Sequence, residues 1–264
     1  MSHPYVFDPE VPSIARTYDY LLGGKDNFTA DRSIGDIFKN RFPGAVQIAL
    51  DNRACLVRAV SLMAGPLGVD QFIDLGSGLP TADNVHQVAQ RANPSASVVY
   101  VDNDPLVLSH GRAILAQNTG TTVLQADLRR PADILGHREV QDLIDFDRPV
   151  GIIASGILHH FLDEEDPGEA ITEFREAVAP GSYLFVSHFR TLGDRKSRAM
   201  EAIMMEAFGR GAFRTVGQIA EYFGDLTLLE PGITECARWR PPSPVDPESL
   251  TEFQQLIVAG LGIK

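Results

Sequence analysis

Short apolar runs alternate with longer amphipathic stretches between Val69 and Trp239. Five of the runs are rich in β-branched or aromatic residues, and segments with a helical spacing of apolar positions separate them. This alternation is typical of βαβ units, in which helices cover both faces of a mostly parallel sheet. The chain therefore predicts an α/β fold with five consecutive parallel strands: Gln71–Leu75, Ser97–Val101, Thr121–Ala126, Val150–Ala154 and Tyr183–Ser187.

Two further apolar runs, Leu226–Leu229 and Thr234–Arg238, are separated by a short turn around Glu230-Pro231-Gly232. A turn of that length cannot hold the crossover that two parallel strands need. The two predicted strands must therefore pair in antiparallel fashion or lie apart. The final stretch, Pro247–Leu261, predicts one last helix.

The pattern before the first predicted strand is helical. Ser13 can cap a first helix, and two more helices are predicted over Ala30–Asn40 and Ala45–Met63. This segment is too short for a separate domain, so it is expected to cover the sheet. The predicted division is an N-terminal helical cap and lid over residues 1–68 and a Rossmann-like sheet domain over residues 69–264.

The composition is that of a folded protein with a negative charge balance. Of 264 residues, 44% are apolar and 22% are charged, which is ordinary for a globular domain. The 23 Lys and Arg residues against 35 Asp and Glu residues give a net charge of −12. Phosphate binding needs clustered positive charge, and the basic group of Arg195, Lys196 and Arg198 is expected to be a solvated helix face. Nucleic acid is therefore not an expected partner.

Cys55 and Cys236 are the two cysteines of the chain. Without a CxxC pair, a thiolate metal site is not expected, and two lone thiols are typical of a reducing, cytoplasmic environment. The first residues lack the charged and apolar parts of a signal peptide, and no apolar run reaches the ~18 residues of a membrane span. We expect neither a metal nor a membrane partner.

A glycine-containing turn follows the first predicted strand. An acidic residue, Asp74, is followed by Gly76, Ser77 and Gly78, and a helical pattern begins just beyond them. Glycines here allow a tight turn and a close approach of the backbone to a ligand. The third glycine of a dinucleotide fingerprint would fall at Thr81, so that fingerprint is not met. The turn is either a ligand site or a plain strand–helix connection.

Two more predicted strands end in an acidic residue. Asp102 lies where an open α/β site places the carboxylate that accepts hydrogen bonds from both ribose hydroxyls. Asp104 precedes Pro105 and is expected to cap the next helix instead. Asp127 follows the third strand, where it could accept from an adenine amine or lie in a solvated loop. Because ligands of open α/β sheets bind at the carboxyl ends of strands, the three acidic strand ends predict one shared site.

These motifs give the chain a family resemblance. It resembles the class I S-adenosylmethionine-dependent methyltransferases, and its N-terminal run is similar to the opening of a bacterial family of S-adenosyl methyltransferases whose substrate is unassigned. The matching segments are Asp74-Leu-Gly76-Ser-Gly78, Asp102, Ala126-Asp127-Leu128, Ile152–Phe161, Pro12–Phe28 and Trp239-Arg240-Pro241.

The resemblance implies a specific fold and cofactor. The fold would be a seven-stranded Rossmann-like sheet of strand order 3-2-1-4-5-7-6, in which strand 7 is antiparallel and forms a hairpin with strand 6. The cofactor would be S-adenosylmethionine, with S-adenosylhomocysteine as its product. Residues 69–264 would bind this cofactor, and the N-terminal cap would fold over it.

The resemblance also implies roles for single residues. Asp74 and the turn from Gly76 through Ser77 to Gly78 would face the methionine part of the cofactor. Asp102, with the adjacent Asn103, would hold the ribose. The remaining cofactor contacts implied are Asp127 and Leu128 at the adenine, Ser155 beside the sulfonium, and, from the N-terminal lid, Tyr18, Tyr20, Gly24, Lys25, Asn27 and Phe28.

Methyl transfer is an in-line displacement, to which the protein mainly contributes alignment. A base is needed only if the acceptor carries a proton at attack. His159 and His160 follow the fourth predicted strand and are the candidate catalytic residues, although the pair could also be a packed loop feature. His188, which ends the fifth strand, is a weaker candidate.

The sequence thus predicts an S-adenosylmethionine-dependent methyltransferase. The signature of amino-methyltransferases, Asn or Asp before two prolines and an aromatic residue, is absent at the fourth strand, which argues against exocyclic base amines as the acceptor. The negative charge balance agrees with a small molecule or a cationic group as the acceptor. Two alternatives stay open: a non-catalytic S-adenosylmethionine sensor and a nicotinamide-dependent oxidoreductase. The missing third glycine and the acidic Asp74 count against the oxidoreductase.

Overall fold

The computed structural model describes residues 7–81, 83–115 and 118–264. Its strands form one eight-stranded sheet. The strands in chain order are β1 Gln71–Leu75, β2 Ser97–Asp102, β3 Thr121–Gln125, β4 Gly151–Ser155, β5 Tyr183–Phe189, β6 Thr227–Leu228, β7 Thr234–Glu235 and β8 Ile257–Ile263. Their order across the sheet is β3-β2-β1-β4-β5-β8-β6, with β7 also paired to β8. The predicted α/β fold is confirmed.

Helices precede the sheet and connect its strands. Ser13 caps the first helix, since its side chain accepts from the backbone amide of Arg16. The predicted second and third helices are also present. The helices in chain order are α1 Ile14–Leu21, α2 Thr29–Arg41, α3 Ala45–Ala64, α4 Val85–Ala92, α5 Pro105–Leu115, α6 Pro131–Leu135, α7 Arg138–Leu143, α8 Pro167–Ala177, α9 Arg195–Phe208 and α10 Val216–Glu221.

The parallel strands are buried on both faces, as their apolar sequences predict. Successive side chains of a strand point to opposite faces, and Phe72 and Ile73 accordingly belong to two different hydrophobic clusters. The Phe72 cluster includes residues of α3, α4 and α9. The Ile73 cluster includes residues of α6, α7, α8 and α10. Helices therefore cover both faces of the sheet.

The C-terminal stretch is a strand and not the predicted helix. Residues 247–249 and 254–256 form short 3-10 turns, and β8 follows them inside the sheet, antiparallel to β5. The prediction was wrong because a short apolar run without polar interruptions does not distinguish a buried helix from a buried strand. Gly260 and Gly262 belong to this strand, and a Cβ atom at either would lie within 3.1 Å of the Phe223 ring. Glycine here permits close packing of that ring.

The two short strands before it also differ from the prediction. β6 and β7 do not form a hairpin with each other; each pairs in antiparallel fashion with β8. Residues 236–238 form a 3-10 turn, so the second predicted strand is shorter than expected. The strand order stays close to the predicted 3-2-1-4-5-7-6, because β8 takes the antiparallel place that was assigned to strand 7.

The N-terminal helices differ in how they join the rest of the protein. Cys55 and Met63 of α3 lie in the same hydrophobic cluster as the strands, whereas α1 contacts α2 and α3. The division of the chain at residue 68 stays a prediction. None of the helices in the described ranges is long and apolar enough to span a membrane.

Candidate functional site

A cavity of about 720 Å³ lies at the carboxyl ends of the parallel strands. Its wall combines residues at or just beyond the carboxyl ends of β1 to β5 with side chains of α1, α3 and α9. The strands end together at this edge because they run parallel, and ligands of open α/β sheets bind at such edges. The volume lies within the roughly 300–1,000 Å³ of small-molecule sites.

The predicted glycine turn forms part of this wall. Gly76 and Gly78 have φ angles of +68° and +65°, which favour glycine. A Cβ atom at Gly76 would lie 2.3 Å from Cγ1 of Ile157, so the turn also needs glycine for space. Ser77 lies between them and lines the cavity as well.

Asp102 is held in place by two backbone amides. The amide of Gly78 donates to its Oδ2 over 2.8 Å, and the amide of Asp104 donates to its Oδ1 over 2.9 Å. Burial raises the pKa of Asp102 to about 6, against the lowering effect of these hydrogen bonds. Asp104 accepts from the amide of Leu106, which agrees with the predicted cap. Ser13 donates to the other oxygen of Asp104 over 2.6 Å and so joins the N-terminal segment to the site.

Asp74 is a second buried carboxyl group on the cavity wall. Burial raises its pKa to about 7; the nearby guanidinium of Arg53 opposes the shift, and the Asp102 carboxyl adds to it. Such a group gains most from a positively charged ligand, because a cation removes the cost of ionising it in a buried place.

Asp127 is paired with a residue that sequence reasoning missed. Arg129 donates from Nε to Oδ1 over 2.9 Å and from Nη2 to Oδ2 over 2.6 Å. Burial alone would raise the pKa of Asp127, but these hydrogen bonds bring it below its usual value. Glu165 accepts from both Arg129 and Arg210 and joins the end of β3 to the loop after α9. No local motif marks Glu165 or Arg210, since the contacts depend on the tertiary fold.

A chain of hydrogen bonds runs under the cavity from Ser155 to the N-terminal helix. The hydroxyls of Ser155 and Ser187 are 3.2 Å apart, and Ser187 donates to Oδ1 of Asn52 over 2.6 Å. Nδ2 of Asn52 donates to the Tyr18 hydroxyl over 3.1 Å, and that hydroxyl donates to the carbonyl of Ala49. Asn52 lines the cavity and carries no sequence signal, because it lies in the middle of a helix.

The two candidate histidines lie side by side on the cavity wall. The ring centroids of His159 and His160 are 4.3 Å apart, and Nδ1 of each ring has no hydrogen-bond partner among the described residues. Burial lowers the pKa of both imidazoles, to about 3 for His160, with a contribution from Arg210. Both rings are therefore neutral near pH 7.

His188 does not belong to the lining of the cavity. Its Nδ1 contacts the carbonyl of Phe189 over 2.7 Å, and its Nε2 lies 3.2 Å from Nη1 of Arg214. Burial lowers its pKa to about 3. The weaker catalytic candidate is thus a packed core residue in this structure.

The N-terminal segment reaches the cavity with the predicted Tyr18 and with residues that precede it. Tyr18 lines it together with residues 11–17 and Phe7. Five other predicted contacts are not among the residues that line the cavity, and their role stays a prediction: Tyr20, Gly24, Lys25, Asn27 and Phe28.

Several of these residues, which lie outside the cavity, make contacts within the N-terminal segment. The hydroxyl of Tyr20 donates to Asp36 over 2.7 Å, and Nδ2 of Asn27 donates to Asp19 over 2.8 Å. The Phe28 ring lies 5.3 Å from the guanidinium carbon of Arg16. These contacts hold α1 and the residues after it against α2.

The remaining predicted cofactor contacts come together in one place. All of them line the cavity: Asp74, Gly76, Ser77, Gly78, Asp102, Asn103, Asp127, Leu128 and Ser155. The three carboxylates can accept hydrogen bonds from an ammonium group, ribose hydroxyls and an exocyclic amine. Among the described residues, no group of three or more His, Cys, Asp or Glu is arranged to hold a metal ion.

An open α/β sheet whose first three strands end in acidic residues around a glycine turn defines an S-adenosylmethionine-binding protein of the methyltransferase fold. A family model described as S-adenosyl methyltransferase matches residues 2–264. The chain belongs to the S-adenosyl methyltransferase family, and the cofactor of that family is S-adenosylmethionine.

Two crystal structures resemble the chain over nearly its whole length. A candidate methyltransferase from Thermobifida fusca YX shares 47% identity, with a TM-score of 0.94 and coverage of 97% of this chain and 96% of that chain. A DUF574 family protein from Streptomyces avermitilis MA-4680 shares 33% identity, with a TM-score of 0.91 and coverage of 97% and 99%.

A more distant similarity concerns the fold alone. The N-methyltransferase NodS from Bradyrhizobium japonicum WM9, solved in complex with S-adenosylhomocysteine, shares 13% identity, with a TM-score of 0.52 and coverage of 94% of this chain and 98% of that chain. None of the curated proteins compared with the chain matches it.

Proposed function

We propose that the protein transfers a methyl group from S-adenosylmethionine to a small-molecule acceptor and releases S-adenosylhomocysteine. One observation carries the proposal: a single cavity extends from the three acidic strand ends to His159 and His160. A methyl donor and an acceptor that share one cavity can be aligned for direct transfer, which is the main contribution a protein makes to such a displacement.

Within this proposal the carboxylate side of the cavity binds the methyl donor. Asp74 and the Gly76–Gly78 turn contact the methionine part, and Ser155 lies beside the sulfonium. Asp102 and Asn103 hold the ribose, and Asp127 and Leu128 contact the adenine. The acidic groups suit a ligand that carries two positive charges and several hydroxyls.

The bound cofactor supplies a methyl group already activated by the sulfonium. His159 and His160 serve as neutral hydrogen-bond partners of the acceptor, because their pKa values lie below the neutral range. A proton on the attacking atom becomes far more acidic as the new bond forms, so a weakly basic imidazole is sufficient to accept it. Asn52 and Ser187 hold Ser155 in place from below.

The proposal also places the protein in the cytoplasm. Cys55 and Cys236 are both buried free thiols, which agrees with a reducing compartment.

Calorimetry followed by a turnover assay tests the proposal. S-adenosylhomocysteine is expected to bind, whereas NAD is not. Transfer of a tritiated methyl group to components of a metabolite extract should then be measurable and should be lost in Asp102→Ala. Binding of NAD in place of S-adenosylhomocysteine would contradict the proposal. Tight binding without transfer to any pool would favour the non-catalytic sensor.

A further inference from the structure

Two helices each direct one apolar stripe toward the cavity. Met200, Met204 and Phe208 of α9 are spaced by four residues and all line it. Residues four apart lie on one face of a helix. On α3, Ile48 and Leu56 line the cavity with the same spacing on either side of Asn52.

Strand ends complete this wall on the side away from the carboxylates. Phe189 at the end of β5 lies opposite Ile257, the first residue of the antiparallel β8. Because β4, β5 and β8 lie beyond β1 in the sheet, their ends are separated from those of β2 and β3. We call this side the apolar half, defined by Ile48, Leu56, Phe189, Met200, Met204 and Phe208.

The polar side chains that reach the apolar half from the loops after β4 and α9 are His159, which is neutral, and Arg210, which is paired. The Arg210 guanidinium donates to Glu165 over 2.6 Å and to the carbonyl of His160 over 3.2 Å. His159 packs edge-on against Phe189, with ring centroids 4.8 Å apart. A charged ligand group would lose its hydration here and meet the Arg210–Glu165 ion pair, which is already neutralised, so its burial would be costly.

We infer that the methyl acceptor is an uncharged aromatic compound with a hydroxyl group, bound in the apolar half with that hydroxyl hydrogen-bonded to the His159–His160 pair. The inference rests on the proposed function. Flat rings fit a wall of phenylalanine and methionine, since aromatic pairs and sulfur–aromatic contacts are both favourable. An imidazole offers the hydroxyl a hydrogen-bond partner without placing a charge in the pocket.

The transfer step balances for this class of acceptor. The acceptor oxygen forms a bond to the methyl carbon while the bond between that carbon and sulfur breaks, and the electron pair of the broken bond returns to sulfur. The hydroxyl proton passes to the imidazole and then to water. The products are an aryl methyl ether, S-adenosylhomocysteine and one proton, so no oxidant or metal is required.

Two matched probes test the charge preference. With the protein saturated in S-adenosylhomocysteine, 2-naphthol is expected to bind at least tenfold more tightly than 6-hydroxy-2-naphthoate in a fluorescence titration. With S-adenosylmethionine present, 2-naphthol should yield its methyl ether. Equal or tighter binding of the carboxylate probe would overturn the inference, and so would failure of both probes to bind the S-adenosylhomocysteine complex.

A charge placed in the apolar half should reverse the preference. Met204 is 5% exposed in the cavity wall, and its neighbour Met205 is 39% exposed. Met204→Lys should shift the affinity ratio of the two probes at least tenfold toward 6-hydroxy-2-naphthoate, whereas Met205→Lys should leave the ratio unchanged. Phe208→Lys provides the same test near the end of α9 if Met204→Lys no longer binds S-adenosylhomocysteine. An unchanged ratio in a variant that still binds S-adenosylhomocysteine would overturn the inference.

The two proposals fail in distinguishable ways. Absence of S-adenosylhomocysteine binding to the unmodified protein would refute the proposed function itself. Normal S-adenosylhomocysteine binding with methylation of charged acceptors alone would refute only the aromatic acceptor.

Discussion

The two ends of the cavity differ in polarity: one carries titratable carboxylates and the other is apolar. The carboxylate half, defined by Asp74, Asp102 and Asp127, places acidic groups at three strand ends, and burial raises the pKa of the first two. The apolar half has hydrocarbon walls and adjoins the neutral imidazoles of His159 and His160. The difference teaches that affinity in the first half depends on ionisation, whereas the second half depends on shape and on the exclusion of water.

The largest expected effect concerns Asp102. Replacing it by alanine should weaken S-adenosylhomocysteine binding at least tenfold, because hydrogen bonds to a charged group contribute roughly 1.5–3 kcal/mol each and about 1.4 kcal/mol is a factor of ten. The binding of 2-naphthol should change far less. Calorimetry measures both affinities. The exposed Asp142→Ala is the matched control, and an unchanged Kd for Asp102→Ala would remove this carboxylate from the site.

Ligand affinity in the carboxylate half should depend on pH, also by about a factor of ten, whereas affinity in the apolar half should not. A cationic ligand binds the ionised form of Asp74, whose pKa is raised to about 7. About one tenth of such a group is ionised one unit below its pKa, so S-adenosylmethionine binding should weaken roughly tenfold from pH 8 to pH 6. Binding should also release protons, as calorimetry in buffers of different ionisation enthalpy can show.

The affinity of 2-naphthol for the apolar half should not change between pH 6 and pH 8. The imidazole of His160, with a pKa of about 3, stays neutral over that range, and the 2-naphthol affinity should therefore be flat. Asp74→Asn should remove most of the slope for S-adenosylmethionine. A slope that persists in this variant would assign the titration to another group.

A smaller effect on stability should distinguish the glycine turn from an ordinary turn. Gly76 and Gly193 share a φ of +68°, but a Cβ atom would meet Ile157 at Gly76 and nothing within 4 Å at Gly193. Gly193→Ala should cost about 1–2 kcal/mol for the backbone conformation alone. Gly76→Ala should cost about 1–3 kcal/mol more, as expected for overpacking. Urea unfolding measures the difference, and equal costs would contradict the crowding at Gly76.

The smallest expected effect concerns the N-terminal segment that contains Ser13 and Lys25. Lys25 is exposed beyond α1, and Ser13 links that segment to Asp104 beside the carboxylate half. Tryptic cleavage after Lys25 should slow when S-adenosylhomocysteine is added, because binding favours the closed arrangement. Cleavage after Arg138, the exposed first residue of α7, is the control. Equal slowing at both sites would indicate general stabilisation rather than closure over the ligand.

Sequence reasoning reached the carboxylate half more completely than the apolar half. Asp74 and Asp102 lie within the last two residues of β1 and β2, and Asp127 lies two residues beyond β3. A short stretch of sequence therefore reveals both the strand and its candidate residue. Met204 and Asn52 lie within helices, where apolar and polar residues alternate for many reasons. They line the same cavity because α3 and α9 cover the same face of the sheet, which no local pattern encodes.

Tertiary structure that no local pattern encodes also explains why the helix predicted over Pro247–Leu261 was wrong. Residues 257–263 are apolar throughout, and their two glycines act against a helix as well as against a strand. What decides between the two is the open edge of β5, which β8 fills along seven residue pairs. That edge is a property of the assembled sheet and not of the segment itself.

The position of β8 has a consequence for how the protein is made. This strand leaves the ribosome after α9, α10, β6 and β7, yet it lies between β5 and the two short strands. Until it arrives, β5 presents unpaired amide and carbonyl groups, and such edges recruit strands from other chains. A chain whose β8 has not yet joined the sheet therefore exposes β5 as an edge to which a strand of another copy can pair.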